Sequence, residues 1–156
     1  MKDVKTAAEN REWLKNSRCV VVSACLLGVN CKYNGGNNLD EDVIRLLKGK
    51  KIVSVCPETA GGLSVPRNPC EIKEERVIDN NTEQEMTDFF KKGALNALKT
   101  AIENGAEAAV LQPRSPSCGS RQIYDGSFSK RLISGQGIFA KLLAENGIKV
   151  IDADEL

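Results

Sequence analysis

The chain has 156 residues, and its 22 Lys and Arg against 21 Asp and Glu leave a formal net charge of +1. That is the length of one globular domain, without the global field that would hold nucleic acid or an anionic membrane. Histidine is absent, which excludes Ser-His-Asp triads, Cys-His pairs and imidazole metal ligands and leaves proton transfer to Asp, Glu, Lys, Tyr or thiols.

In chain order, residues 1–16 are polar and charged, with no signal-peptide segment and no apolar run long enough to cross a bilayer. The expected setting is the cytoplasm. Residues 7–15 can form a short helix within an N-terminal helical extension over residues 1–17. The apolar, β-branched run 19–23 reads as a buried strand. A Gly- and Asn-rich stretch, 28–38, follows, after which Asp40 caps a helix through Val43, Ile44, Leu46 and Leu47 to a stop at Gly49. Residues 51–55 form the next strand, and 57–69, with Gly61, Gly62 and two further prolines, are expected to be irregular.

Residues 71–78 are a weak strand candidate. Thr82 with Glu85 three positions on reads as a capping box that opens a long helix ending at Asn104-Gly105. Residues 108–111 are a third strand, 113–129 a serine-rich loop, 135–146 a helix stopped by Gly147, and 148–151 a fourth strand. Alternating strands and helices predict an α/β fold: one domain over residues 1–156, with a small parallel, doubly wound, Rossmann-like sheet and long ligand-bearing loops at its C-terminal edge.

Six cysteines, at 19, 25, 31, 56, 70 and 118, are many for a chain expected in a reducing compartment, where surplus thiols are more often metal ligands or catalytic groups than disulfides. Cys25, Cys56 and Cys118 each follow a predicted strand, beside Gly, Pro or Ser, so distant segments converge on one edge. Three thiolates suit iron-sulfur or zinc. A three-ligand site leaves one metal position open for chemistry. Cys19, inside a strand, reads as a small core hydrophobe. Cys31 is a spare or resolving thiol, which keeps thiol redox chemistry with Cys25 as an alternative. Cys70 is incidental or a fourth ligand.

Glu58, two residues beyond Cys56, is either a general base facing the thiolates or a salt-bridge carboxylate. Ser115 and Ser117 either position water or substrate or cap the turn at Pro116. Arg67 and Tyr124 read as loop anchors or substrate contacts.

The set Ser-Ala-Cys25-Leu-Leu-Gly, Cys31-Lys-Tyr-Asn-Gly, Cys56-Pro-Glu-x-x-Gly-Gly-Leu, Pro66-Arg-x-Pro, Ser115-Pro-Ser-Cys-Gly and Ile123-Tyr-Asp-Gly-Ser-Phe resembles the DUF523 family across residues 19–151. That family includes a thiouracil desulfidase type of enzyme. The resemblance implies a [4Fe-4S] cluster held by Cys25, Cys56 and Cys118 with one open iron, whereas the residues alone also allow a non-catalytic module that binds zinc or a cluster for stability or sensing. It further implies Glu58 and Ser115 as the groups that activate water and move protons. Ser117, Arg67 and Tyr124 are the expected substrate contacts, and the partner is a small thiolated base or nucleoside rather than nucleic acid or a membrane. Two positions depart from the family pattern. Cys70 stands where a small apolar residue is usual, and Gln112 where Lys is common.

Overall fold

The computed structural model describes residues 3–156, so the first two residues of the expected N-terminal extension lie outside it. Strands β1 (Cys19–Ser23), β2 (Lys51–Val55), β5 (Ala108–Leu111) and β8 (Lys149–Asp152) form a parallel sheet in the order β2-β1-β5-β8. Antiparallel hairpins pair β3 (Cys70–Lys73) with β4 (Arg76–Asp79) and β6 (Gln122–Tyr124) with β7 (Leu132–Ser134).

Side chains of a strand alternate between faces, and β1 shows how this one covers both. Val21 packs with Ala94, Leu98, Phe139 and Leu143 from helices α4 (Thr87–Glu103) and α5 (Ile138–Glu145). Val20 and Val22 pack on the other side with Leu14 of α1 (Val4–Lys15) and with Val43 and Leu47 beside and within α2 (Glu41–Leu46). The doubly wound α/β architecture is therefore present. Because the chain leaves β1 toward one face and β5 toward the other, a crevice opens beyond their carboxyl ends, where such folds bind ligands. The Gln112 amide donates to Ser23 Oγ at 3.0 Å across the floor of that crevice.

Several boundaries differ from the sequence expectation, each for a local reason. Residues 57–69 are not wholly irregular, since a short helix α3 (Pro57–Ala60) starts on Pro57, whose fixed φ suits a first helical position. The 71–78 segment belongs to a hairpin with Glu74 and Glu75 at φ 51° and 68°, a turn whose acidic residues give none of the usual Asn-Gly signal. Thr82 does not cap α4. Its hydroxyl accepts from Gln84 N, Glu85 bridges to Ile78, and the helix begins at Thr87, whose hydroxyl accepts from Val77 N. The 113–129 loop contains strand β6, and the last helix starts at Ile138 rather than 135. At the N-terminus Asp3 caps α1, three residues earlier than expected.

Backbone-to-backbone contact between α3 and α4 fixes where Cys56 and Glu58 sit. A Cβ on Gly93 would lie 1.7 Å from Pro57 O, and one on Gly61 would lie 2.1 Å from Phe89 O. The loop carrying Cys118 is pinned as firmly. The amides of Ile138 and Phe139 donate to Pro116 O and Ser117 O, both at 2.9 Å. Gly93→Ala is expected to destabilise the protein in urea unfolding by roughly 3 kcal/mol, because backbone rather than a flexible side chain must yield. Leu95→Ala on the exposed side of the same helix should stay within about 0.5 kcal/mol.

Candidate functional site

A cavity of about 540 Å³ lies at the carboxyl edge of the sheet. Its wall includes Cys25, Cys56, Cys118, Glu58, Ser115, Arg67 and Tyr124 of the residues singled out from sequence. Ser117 is the exception. Its side chain is buried at 2% exposure behind the wall, and its hydroxyl donates to Glu58 Oε2 at 3.0 Å. It serves the carboxylate rather than the cavity.

The three cysteines reach the cavity from different elements. Cys25 lies in the 3₁₀ turn Ala24–Leu27 directly after β1. Cys56 is the residue before α3, with extended backbone and no capping bond from its side chain, so its thiol is not occupied by the helix. Cys118 sits in a turn closed by Ser115, whose Oγ accepts from the amides of Ser117 and Cys118, each at 3.1 Å. With its oxygen engaged in this way, the Ser115 hydroxyl keeps its proton for a neighbour in the cavity.

Burial sets the electrostatics of the thiols. It pushes Cys25 up, opposed by the Asn38 amide that donates to Cys25 Sγ at 3.5 Å, with Cys56 adding to the rise. Cys118 is held well above the ordinary thiol range by burial; the Ser23 hydroxyl opposes this, while Cys25, Glu58 and Cys56 reinforce it. Cys31 is pushed up to about 12, first by burial and then by Cys56 and Cys25. Four thiols therefore feel one another. Ionising several together in so dry a place requires a compensating cationic group.

Cys31 and Cys70 are both on the cavity wall. The Cys56 thiol points to Cys31 O at 3.9 Å. Cys70 is pushed up to about 12 by burial, then by Glu58 and Asp79, with Arg67 opposing. Cys19 is a core residue at 5% exposure, packed with Val21. All six cysteines are free thiols. Among the described residues no three Cys, Asp or Glu side chains converge on a single metal-sized point. The thiols are spread around the cavity instead.

Glu58 is gripped from two sides, since Arg67 Nε donates to its Oε1 at 3.0 Å while Ser117 holds Oε2. Arg67 also donates from Nη2 to Cys31 O at 2.8 Å and from Nη1 to Ser64 O at 3.1 Å, and its side chain is only 9% exposed. Three of its five N–H donors thus go to the protein. Arg67 therefore anchors the loop and also stands on the cavity wall. Sequence reasoning missed Asn38, Ser23 and Glu71 as site residues, because each works through a neighbour far away in sequence. Asn38 carried only the signal of its Asn-rich stretch.

The model of the 2-thiouracil desulfurase family matches residues 20–155. The uncharacterized protein YbbK of Bacillus subtilis (strain 168) is 40% identical over 146 residues, covering 88% of this chain and 97% of its own. A solved structure, the [4Fe-4S]-dependent thiouracil desulfidase TudS, superposes with a TM-score of 0.83 at 36% identity and covers 89% of this chain and 93% of its own. With a matching family model over nearly its whole length and a relative at this level of identity, the chain belongs to the 2-thiouracil desulfurase family.

Proposed function

We propose that the protein releases sulfide by hydrolysis from a small thiolated pyrimidine or a similar thiocarbonyl compound, using a [4Fe-4S] cluster held by Cys25, Cys56 and Cys118 with one iron left open. The observation that carries this reading is the placement of Glu58. Its carboxylate stands on the same cavity wall as the three thiols and is held by Arg67 and Ser117. The similarity to a [4Fe-4S]-dependent thiouracil desulfidase supports the cofactor and the substrate class.

The donor set suits the cluster. Three thiols, of which burial raises Cys25 and Cys118, line a cavity with room for a substrate beside them, in a chain without histidine. When bound, the cluster supplies an electrophilic iron with affinity for sulfur. The rest falls to side chains. Glu58, with one oxygen on Arg67 and the other on Ser117, retains lone pairs that can take a proton from water. The Ser115 proton is available to a ring nitrogen or oxygen of the substrate, and Tyr124 lines the same cavity. In the balance, a thiocarbonyl and water give a carbonyl and hydrogen sulfide. No electrons are gained or lost.

The reducing cytoplasm is the setting this chemistry suits, and no helix among the described residues is long and apolar enough to cross a membrane. Purified without air and supplied with iron and sulfide, the protein is expected to release sulfide from 2-thiouracil with no added reductant. Absence of sulfide from any thiolated base or nucleoside would remove the assignment. Glu58→Gln should lower kcat by roughly a hundredfold or more while iron content is unchanged. Arg67→Lys keeps the charge but loses the planar fork that reaches three separately placed acceptors, so it should lower kcat by roughly tenfold with little change in KM.

Metal loading should depend on pH with a defined sign. Burial keeps Cys25 and Cys118 protonated at neutral pH, so loading expels their protons and should become tighter and faster as pH rises from 7 to 9. Stopped-flow absorbance with a pH indicator measures both the rate and the protons released. Loading that is independent of pH would mean the thiols are already ionised in the empty protein.

A further inference from the structure

The tip of the β6–β7 hairpin takes no part in the chemistry above, yet it carries unusual backbone. Phe128 has φ 57° and Lys130 has φ 64°, in the left-handed region that bulky side chains rarely adopt. A carboxylate holds the tip in place. Glu71 Oε1, on β3, accepts from Gly126 N at 3.0 Å and from Phe128 N at 3.1 Å. Gly126 lies so close to β3 that a Cβ there would sit 2.5 Å from Lys73 Cβ. Asp125 Oδ1 further closes the turn by accepting from Ser127 N at 2.9 Å.

This restraint does not serve the core. Phe128 belongs to none of the three apolar clusters formed by the described residues. It is half-buried, and together with Tyr124 it forms part of the wall of the thiol-lined cavity. Backbone held in an unfavourable region by surrounding bonds points to a side chain placed for use. An aromatic ring fixed on the wall of a small-molecule cavity offers a flat apolar face.

We propose that Phe128 is the platform on which a planar heteroaromatic ring stacks in this cavity, and that Glu71 is the positioning residue that holds the platform. The inference rests on the reading of the site as one for thiocarbonyl compounds and narrows it. Flat ring thiones are substrates, and open-chain thioamides and thioureas of similar size are poor ones.

The test uses uracil, which has the ring but no sulfur to react, added to the iron-loaded protein and followed by proton NMR and titration calorimetry. Stacking predicts an upfield ring-current shift of the uracil H5 and H6 signals on binding to the wild type. Phe128→Leu keeps the apolar bulk, so it should abolish the shift and weaken binding by about tenfold. Phe128→Trp should keep both. Glu71→Ala should reduce shift and affinity without touching the ring, which gives a second route if the leucine variant folds poorly. Uracil bound to the wild type without an upfield shift, equal affinity for Phe128→Leu, or no detectable binding would overturn the proposal. Sulfide release from 2-thiouracil is a separate readout. If it is absent while the ring-current shift persists, the desulfidase reading fails and the platform stands.

Discussion

Arg67 joins stretches of chain that the parallel sheet alone would leave apart. Its guanidinium holds the Glu58 carboxylate after β2, the Cys31 carbonyl in the loop after β1, and Ser64 in the segment that leads back to Arg67 itself. With the pair only 9% and 17% exposed, water screens it little. Breaking a buried pair by removing one partner costs about 3–5 kcal/mol, because the charge that remains is desolvated and alone. The orientation of Glu58, and with it the shape of the cavity beside Cys56, follows from this one planar cation with its fixed fork of donors.

Around that anchor the fold concentrates thiols that would repel one another once ionised. Cys25, Cys31, Cys56 and Cys118 share one cavity with Glu58, and burial raises Cys25, Cys31 and Cys118. The switch between β1 and β5 creates the crevice, and close glycine contacts at Gly61 and Gly93 hold the walls in register. Ionising several of these thiols together is favourable only where a cationic group compensates them.

The main sheet was readable in the sequence because β1 and β5 are short, fully buried apolar runs, β2 and β8 keep apolar residues at their buried positions, and well-marked stops such as Gly49 and Gly105 separate the elements. The three cysteines after strands were readable for the same reason, since a strand end in a parallel sheet is a fixed address. What escaped was the structure made by non-local bonds. Nothing near Ser117 signals that it serves Glu58, 59 residues earlier, and nothing near Glu71 signals that it grips amides 55 and 57 residues later. The start of α4 was misplaced because the capping-box pattern at Thr82 is real as sequence, yet Glu85 is drawn to Ile78 and Thr87 to Val77.

The central claim is that three cysteines from three separate loops hold one iron-sulfur cluster. Its most direct test is iron and sulfide per chain, with the Mössbauer spectrum, for protein purified and loaded without air, in the wild type and in Cys118→Ala. The account predicts about four irons per chain, one of them spectroscopically distinct, and loss of the cluster in the variant. A wild type that stays colourless and binds no iron, or a Cys118→Ala protein that keeps the full complement, would contradict it.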